Sequence, residues 1–331
     1  MKLERRRLAG AVAMLATAAL ALTACASSTP SGTDGGADGG TDAGKQDLRI
    51  GVVVLDQQDP DLAHMTAAMQ ETAEKEGVAL DLTDSKKDVG SELNQVEDLI
   101  TRQVDAIILQ PLDGEASQNA AQRVIDAGIP LFILSTEFAE GADIAYESYI
   151  GVDDTLAGEM QAEYLNEILP DGGDIVFAAG IYGASWTDRR KSGFESKINP
   201  NIKTVAEFQA KGSRDEGKRN MEDTLQRFGS GEIVAVVANN DEMALGAASA
   251  IKDAGRLDEF KAIVGVDGTP PAVSAIQAGE MTATVQQDSA GQGVKAIEVV
   301  HQFLQGNPVE DRYTLPFTLI TKDNADQFAA Q

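Results

Sequence analysis

The sequence predicts an α/β protein of two lobes, each a parallel β-sheet covered by helices. Short aliphatic and β-branched runs, such as 50–54 and 106–109, alternate with stretches in which apolar residues recur at helical spacing. This alternation is typical of parallel sheets whose strands are connected by helices. The chain has 331 residues, a length that suits two ordinary domains. About a dozen strands would be too many for one twisted sheet, so we expect two sheets.

The alternating pattern begins at residue 47 and its first strand and helix are well marked. The run 50–54 is β-branched, as expected of a parallel strand buried on both faces. Leu62 and Met65 start an apolar helical stripe that ends near Gly77. Further strands are predicted at 78–82, 106–109, 130–134, 174–179, 205–209, 233–238, 262–266 and 282–285. Further helices are predicted at 93–100, 116–127, 188–197, 214–228, 241–254 and 271–278.

The N-terminus has the pattern of an export signal. A basic start, residues 2–7, precedes an apolar stretch, 9–22, that is too short for a stable membrane-spanning helix. The following L-T-A-C sequence, residues 22–25, resembles the bacterial lipobox. This resemblance implies that the leader 1–24 is removed and that Cys25 is lipidated, which anchors the chain to the outer face of the bacterial cytoplasmic membrane. The alternative is a plain signal peptide with an incidental cysteine.

The segment 25–46 is rich in Gly, Ser, Thr and Asp and is predicted to be a flexible tether. Cys25 is the only cysteine, so an intramolecular disulfide is excluded. The whole chain has 43% hydrophobic residues, which is enough for sizeable cores. Its formal net charge of -26 repels phosphate backbones, so nucleic-acid binding is not expected.

Polar residues follow most of the predicted strands at the point where each strand ends. In open α/β sheets, ligands bind beyond the carboxyl ends of the strands. Carboxylates, amides and hydroxyls that meet there would suit a ligand with many hydroxyl groups, because an apolar ligand would leave each of them unpaired at a cost of about 1–3 kcal/mol. These polar clusters are 56–59, 135–137, 185–188, 239–241, 267–269 and 286–288.

Each of these residues also has an ordinary structural interpretation. Trp186, the only tryptophan, would cover the C–H face of a sugar ring or fill a core at a helix start. Asn240 and Asp241 would cap the helix that follows them. Asp267 would begin a turn. Coincidence at all six strand ends is less plausible than a shared site.

Enzymatic interpretations are weaker. The sequence has neither a P-loop nor a G-x-S-x-G motif, and its two histidines, His64 and His301, are far apart along the chain. No metal site, cofactor or catalytic triad is therefore predicted. Paired acids in a cleft can hydrolyse glycosides, but acceptors of ligand hydroxyl groups account for the same acids. We therefore expect a binding protein and not an enzyme.

Three segments resemble signatures of the type I periplasmic sugar-binding proteins, of which the ribose- and galactose/glucose-binding proteins are members. They are VANNDEMALGA at 237–247, VGVDGTP at 264–270 and ATVQQD at 283–288. The resemblance implies two Rossmann-like lobes joined by a three-segment hinge near 150–153, 287–290 and 315–318. It implies an N-terminal lobe of 47–150 plus 288–315 and a C-terminal lobe of 151–287 plus 316–331.

The resemblance also implies roles for individual residues. Asn240, Asp267 and Gln287 match positions that hydrogen-bond sugar hydroxyls, and Asp59 matches an acidic position of the galactose/glucose type. Asp188 aligns with a pocket arginine of the relatives, for which Arg190 is the alternative in this chain. The predicted ligand-binding residues are Asp59, Ser135, Thr136, Trp186, Asp188, Asn240, Asp267 and Gln287.

The aromatic positions depart from the relatives' pattern. Asp61 and Leu62 replace two expected phenylalanines, and Gly212 stands where the far lobe usually offers an aromatic ring. Trp186 and Phe138 are the candidates to supply a stacking surface instead. An acid-rich pocket disfavours anions and suits a neutral sugar or polyol, or an amino-substituted one.

By this resemblance the chain is expected to be a monomeric solute-binding lipoprotein that closes around a sugar or polyol and delivers it to the permease subunits of an ABC importer. Two alternatives stay open. The liganded form would be presented to a chemoreceptor or sensor kinase, or the ligand would be autoinducer-2 or a nucleoside. The lipobox and tether stand where lactose-repressor-type regulators of the same fold carry a helix-turn-helix, which argues against a regulator.

Overall fold

The structure is a computed structural model that describes residues 48–328. The predicted leader 1–24, the lipidation site Cys25 and the tether 25–46 lie outside the described residues. Within residues 48–328, no helix combines the length and the apolar character that crossing a membrane requires.

The described chain alternates strands and helices, as predicted. The strands are β1 (Arg49–Val54), β2 (Ala79–Asp84), β3 (Ala106–Leu109), β4 (Leu131–Ser135), β5 (Ser148–Gly151), β6 (Gly173–Ala179), β7 (Ile202–Gln209), β8 (Ala235–Ala238), β9 (Ala262–Asp267), β10 (Ala283–Gln287), β11 (Arg312–Thr314) and β12 (Phe317–Thr321). The helices are α1 (Pro60–Glu76), α2 (Val89–Thr101), α3 (Gln118–Asp126), α4 (Asp154–Ile168), α5 (Ser185–Lys197), α6 (Arg214–Arg227), α7 (Asp241–Asp253), α8 (Pro270–Ala278) and α9 (Ser289–Leu304).

These strands form two six-stranded sheets. The first has the order β11-β5-β4-β3-β1-β2 and is parallel throughout. The second has the order β12-β10-β9-β8-β6-β7 and is parallel except for β12, which runs antiparallel to β10. Both sheets have the strand order of doubly wound α/β folds, so the predicted fold class is confirmed.

Helices cover both faces of each sheet, which explains why the strands are apolar without alternation. In the first lobe, α1 and α9 pack on one face of the sheet and α2 and α3 on the other. In the second lobe, α4 and α5 cover one face and α6, α7 and α8 cover the other. The chain passes between the lobes three times: between β5 and α4, between β10 and α9, and between β11 and β12.

Capping residues fix the helix boundaries that matter for the site. Asp59 caps α1 by accepting hydrogen bonds from the backbone N–H groups of Asp61 and Leu62. Gly77 ends the same helix with a φ of 68°, a left-handed conformation that glycine adopts without a steric penalty. The first helix therefore begins at the carboxyl end of β1, where Asp59 and Asp61 face the space between the lobes.

The sequence pattern assigned no range to β5, α4, α9, β11 or β12. The three strands are short, with four, three and five residues. Apart from Leu165, the buried face of α4 has small or polar residues, including Ala157, Gly158 and Gln161, so it lacks the apolar stripe by which a helix is usually recognised. Gly158 lies against the backbone of α5, and this close helix contact is the reason for the small residues.

Candidate ligand-binding site

A cleft lies between the two lobes at the carboxyl ends of their strands. The first lobe contributes acidic, amide, hydroxyl and apolar side chains and one lysine. The second lobe contributes the single tryptophan, two basic side chains, amides and a carboxylate. The lining residues are Leu55, Asp59, Asp61, Leu62, Lys87, Gln110, Ser135, Thr136, Ile181, Trp186, Arg190, Lys211, Gly212, Asn240, Asp267 and Gln287.

The cleft brings together seven of the eight residues that the sequence analysis proposed as ligand-binding. They are Asp59, Ser135, Thr136, Trp186, Asn240, Asp267 and Gln287. Asp188 does not line the cleft and lies exposed on α5. Because residues two apart point to nearly opposite sides of a helix, the exposure of Asp188 goes with the burial of Arg190. Arg190 therefore occupies the position that we had assigned to Asp188.

Arg190 is held rigidly at the floor of the cleft. Its Nε donates to Asp154 Oδ1 at 2.7 Å and its Nη1 donates to the carbonyl oxygen of Asn239 at 2.6 Å. Nη1 also lies 3.5 Å from Asp267 Oδ1. The guanidinium carbon lies 5.4 Å from the ring centroid of Trp186, within the range of a cation–π contact. The sequence could have indicated this position, because Arg190 is four residues from both Trp186 and Phe194, and residues four apart lie on the same side of a helix.

Asp59 and Asn240 serve as helix caps and also line the cleft. Asp59 Oδ1 accepts from Asp61 N at 3.0 Å, and Asn240 Oδ1 accepts from Met243 N at 3.0 Å. The cap fixes the orientation of the Asn240 amide, whose Nδ2 donates to no group among the described residues. The geometry of Asp59 and Asn240 is therefore compatible both with helix capping and with ligand binding.

Gln287 joins two carboxylates from different lobes. Its Nε2 donates to Asp267 Oδ1 at 2.8 Å and to Asp61 Oδ2 at 3.0 Å. The Ser289 hydroxyl donates to the other oxygen of Asp61. Asp61 at the start of α1 is thus connected to the end of β9, to β10 and to the start of α9. The sequence analysis noted Asp61 only as a replacement for an aromatic residue.

Gln110 was missed, although it directly follows β3 and so obeys the same strand-end rule as the other polar residues. Its side chain is 2% exposed, and its Oε1 accepts from Leu55 N at 3.1 Å. Gln110 lines the cleft, and its Nε2 donates to no group in the part of the chain that the structure describes. Gln110 therefore offers the cleft an amide donor from the first lobe.

Ser135 and Thr136 end β4 at the edge of the cleft. Ser135 has a φ of 60°, and its carbonyl oxygen accepts a hydrogen bond from the Tyr149 hydroxyl at 2.8 Å. The Thr136 hydroxyl donates to the Pro111 carbonyl oxygen at 2.6 Å. Phe138 packs in the core of the first lobe and does not line the cleft, so Trp186 is the aromatic side chain of its lining.

Burial raises the pKa of several carboxyl groups in and beneath the cleft. It raises the pKa of Asp61 to about 8, with a further contribution from the charge of Asp59. It raises the pKa of Asp241 to about 7 against the effect of hydrogen bonds from Thr284 and Thr269. Burial, followed by the charge of Asp61, also places the pKa of Asp267 well above its ordinary value. The cleft is consequently an environment in which extra negative charge is costly.

Within residues 48–328, no group of three or more histidine, cysteine or acidic side chains is arranged to hold a metal ion. The cleft can hydrogen-bond several oxygen atoms at once through amides and carboxylates that are fixed by their own partners. Its apolar contribution comes from Leu55, Leu62, Ile181 and Trp186. Such a lining suits a small molecule that has both hydroxyl groups and C–H faces.

Two doubly wound lobes that share one polar cleft define the class of two-lobed binding proteins. Residues 50–308 match the periplasmic binding protein domain family, and the chain belongs to this family. The predicted membership of the type I periplasmic sugar-binding group is thereby confirmed.

Related proteins match the chain over most of its length. The ribose import binding protein of Bacillus subtilis is 30% identical over 313 residues, 94% of this chain and 99% of that protein. The xylitol-binding protein of Mycolicibacterium smegmatis is 30% identical over 319 residues, 96% of this chain and 86% of that protein. The structure of an ABC transporter solute-binding protein from Bacillus halodurans with bound myo-inositol has a TM-score of 0.80, with 34% identity, and covers 86% of this chain and 98% of that one. These relatives are solute-binding proteins and not enzymes.

Proposed function

We propose that this protein is an extracytoplasmic solute-binding lipoprotein that captures a sugar or polyol between its lobes and delivers it to an ABC importer. The observation that carries the proposal is the cleft at the strand ends, in which hydrogen-bonding groups of both lobes converge. A ligand held in this way stabilises the closed arrangement only to the extent that it binds the closed form more tightly than the open one.

The chemistry of the cleft supports a polyhydroxylated ligand. The side-chain amide nitrogens of Gln110 and Asn240 donate to no acceptor within residues 48–328, and the Asp59 and Asp267 carboxylates are acceptors suited to hydroxyl groups. Trp186 supplies a ring against which the C–H face of a sugar or cyclitol would pack. The relatives named for ribose and xylitol, and the one with bound myo-inositol, support the same ligand class.

Contacts across the mouth of the cleft support hinge closure. Glu137 N of the first lobe donates to Ser185 Oγ of the second at 2.7 Å, and Gly114 N donates to the Gly183 carbonyl oxygen at 3.0 Å. We interpret this arrangement as the closed form. In our proposal, the lobes 47–150 plus 288–315 and 151–287 plus 316–331 open by rotation about the three segments that connect them.

The remaining parts of the proposal concern location and partners. Lipidation at Cys25 would tether the monomeric protein to the outer face of the cytoplasmic membrane. The segment 25–46 would then act as a flexible spacer. Permease subunits of an importer would recognise the closed lobes.

A thermal-shift screen against pentoses, hexoses, linear polyols and inositols tests the proposal. A ligand at 100 times its dissociation constant stabilises the folded protein by about 2.7 kcal/mol, which shifts the melting temperature clearly. Asp267→Asn should abolish most of the shift, because a charged acceptor of ligand hydroxyls is lost, whereas the exposed Asp188→Asn should keep it. The absence of a shift with every sugar and polyol, or an unchanged shift in Asp267→Asn, would contradict the proposal.

A further inference from the structure

We propose that the preferred ligand carries an ammonium group, which the cleft binds against the carboxylates of Asp61 and Asp267, beside the Gln287 amide that joins them. This inference rests on the proposed function and specifies the substrate class of the same cleft: an amino-substituted sugar or cyclitol. The ligand's hydroxyl groups would contact the amides of Gln110 and Asn240, and its ammonium group would lie at the acidic floor.

The first step of the argument is the proximity of two carboxylates. Asp61 Oδ2 and Asp267 Oδ1 both accept from the same nitrogen, Gln287 Nε2, at 3.0 and 2.8 Å. The two oxygen atoms are therefore close together, because both lie within hydrogen-bonding distance of the same nitrogen atom. Both side chains line the cleft, and both are more than nine-tenths buried. Two carboxylates this close do not both carry charge without a cation beside them.

The second step is the shortage of positive charge. Four carboxyl groups in and beneath the cleft, Asp61, Asp154, Asp241 and Asp267, are buried, whereas Arg190 is the one buried basic side chain in the described part of the chain. Arg190 donates from its Nε to Asp154 Oδ1 at 2.7 Å, and its Nη1 lies 3.5 Å from Asp267 Oδ1. Because a buried charge without a partner is costly, Asp61 and Asp267 both carry charge only when a further cation lies beside them.

The lysines of the cleft do not supply this cation. Lys87 Nζ pairs with Asp56 Oδ2 at 3.3 Å on the side of the first lobe, and Lys211 is exposed. Neither lysine forms an ion pair with Asp61 or Asp267. A ligand ammonium group has three donors, and charge-assisted hydrogen bonds to carboxylates are about twice as strong as neutral ones.

The third step shows that the acids belong to a binding site and are not an isolated cluster. Asn240 is 6% exposed and Gln110 is 2% exposed, both residues line the same cleft, and neither side-chain amide nitrogen donates to a group among residues 48–328. Amide donors of this kind in a cleft suit acceptor oxygens on a ligand. A ligand that satisfies every group therefore has hydroxyl oxygens for the amides and a cation for the carboxylates.

Isothermal titration calorimetry with the purified full chain tests this inference at about pH 6.5, where alkylammonium groups are charged. The probes are matched pairs: glucosamine and glucose, galactosamine and galactose, and an amino-deoxy-inositol and myo-inositol. The amino member of at least one pair should bind at least about 30-fold more tightly than its hydroxyl partner. Asp61→Asn should lower the affinity for the amino member at least about tenfold more than the affinity for its hydroxyl partner and so remove most of the preference, whereas Asp188→Asn should retain it.

A second measurement uses the unaltered protein and so does not depend on how a variant folds. Titrations in two buffers of different ionisation enthalpy should show proton release with the amino probe and none with its hydroxyl partner. The reason is that burial favours a proton on the Asp61 and Asp267 carboxyl groups, and the ligand cation replaces that proton. The charged groups that face Asp61 are Asp59, Asp241, Asp267 and Arg190, and its other contacts, Gln287 and Ser289, are neutral.

The outcomes separate this inference from the proposed function. Binding of hydroxyl probes with equal or weaker binding of their amino partners would overturn the ammonium site and leave sugar or polyol capture intact. Equal loss of both probes in Asp61→Asn, or proton release with neither, would also overturn it. Failure of every probe in both series would overturn the inference together with the proposed ligand class.

Discussion

At the scale of the residue, the conflict between binding and stability is concentrated at Asp61. A carboxyl group at this position is desolvated, lies near other acids and has only neutral hydrogen-bond donors, Gln287 and Ser289. A charged or polar side chain that destabilises a fold is usually retained where it serves a site. The same reasoning applies to Asp267, which combines burial with a φ of 126°.

The first prediction concerns the stability of the ligand-free protein. The pKa of Asp61 is about 8 in the folded chain against 3.8 for an ordinary aspartate. Between these pH values the folded chain keeps a proton that the unfolded chain has lost, so the free energy of unfolding falls as the pH rises. Asp61→Asn removes this titration and should gain on the order of 2 kcal/mol relative to the unaltered protein between pH 4 and pH 8.

Urea unfolding of both proteins across this pH range measures the difference. The difference between the two proteins reports the titration of Asp61 together with its effect on Asp267, whose pKa the charge of Asp61 raises. Parallel stability curves for the variant and the unaltered protein would show that the Asp61 carboxyl does not titrate differently on folding.

At the scale of the element, the contact between α4 and α5 positions the second-lobe half of the site. Gly158 of α4 faces the Arg190 carbonyl oxygen and the Phe194 N–H, and Gly193 of α5 faces the Thr155 carbonyl oxygen. The two helices approach so closely that neither position has room for a methyl group. This contact sets which side of α5 turns toward the cleft, and that side carries Trp186 and Arg190.

The second prediction is that Gly158→Ala lowers the free energy of unfolding by about 1–3 kcal/mol, because the added methyl group forces α5 away from α4. Ligand binding should weaken as well, since a shift of α5 displaces Arg190 from Asp154 and from the cleft. Gly90→Ala in α2 is the matched control, because its methyl group would meet only the Asp88 side chain at 3.3 Å. Thermal unfolding and calorimetric titration of both variants make the comparison, and equal behaviour of the two would refute the role of the helix contact.

At the scale of the whole molecule, Glu137 links the lobes outside the cleft. Its carboxylate lies 3.1 Å from Arg189 Nη1 of the second lobe and 2.7 Å from Arg312 Nη2 on β11. Arg312 also lies over the Tyr149 ring, 4.1 Å from its centroid. Since β11 leads directly into one of the three connecting segments, this ion-pair group would favour the closed arrangement without touching the ligand.

The third prediction is that Glu137→Gln lowers ligand affinity by about 0.5–1.5 kcal/mol, because a smaller fraction of the protein is closed before binding. Small-angle scattering of the ligand-free variant should give a larger radius of gyration, and saturating ligand should restore the value of the unaltered protein. Asp253→Asn, which breaks the 2.6 Å pair with Lys218 inside the second lobe, should change neither quantity. An unaltered affinity together with unaltered scattering would show that Glu137 has no part in closure.

The sequence by itself determined the fold class and the edge of each sheet at which a site forms. Both follow from local information: aliphatic strands alternate with amphipathic helices, and the residue after a parallel strand lies at the carboxyl edge whatever the rest of the fold does. For this reason the pattern placed Asp59, Asn240, Asp267 and Gln287 in strand-end clusters, and the resemblance to sugar-binding proteins singled them out as candidate ligand-binding residues. Gln110 directly follows a predicted strand, so the same rule could have identified it as a candidate.

Only the tertiary structure decided which side chains face the cleft from a helix. The choice between Asp188 and Arg190 depends on how α5 is rotated against α4, and backbone contacts at Gly158 and Gly193 fix that rotation across sequence-distant segments. The approach of Asp61 to Asp267 likewise depends on how one lobe meets the other through Gln287. Such relations have no local signature, because helix phase and lobe contact are set by packing between segments that are distant along the chain.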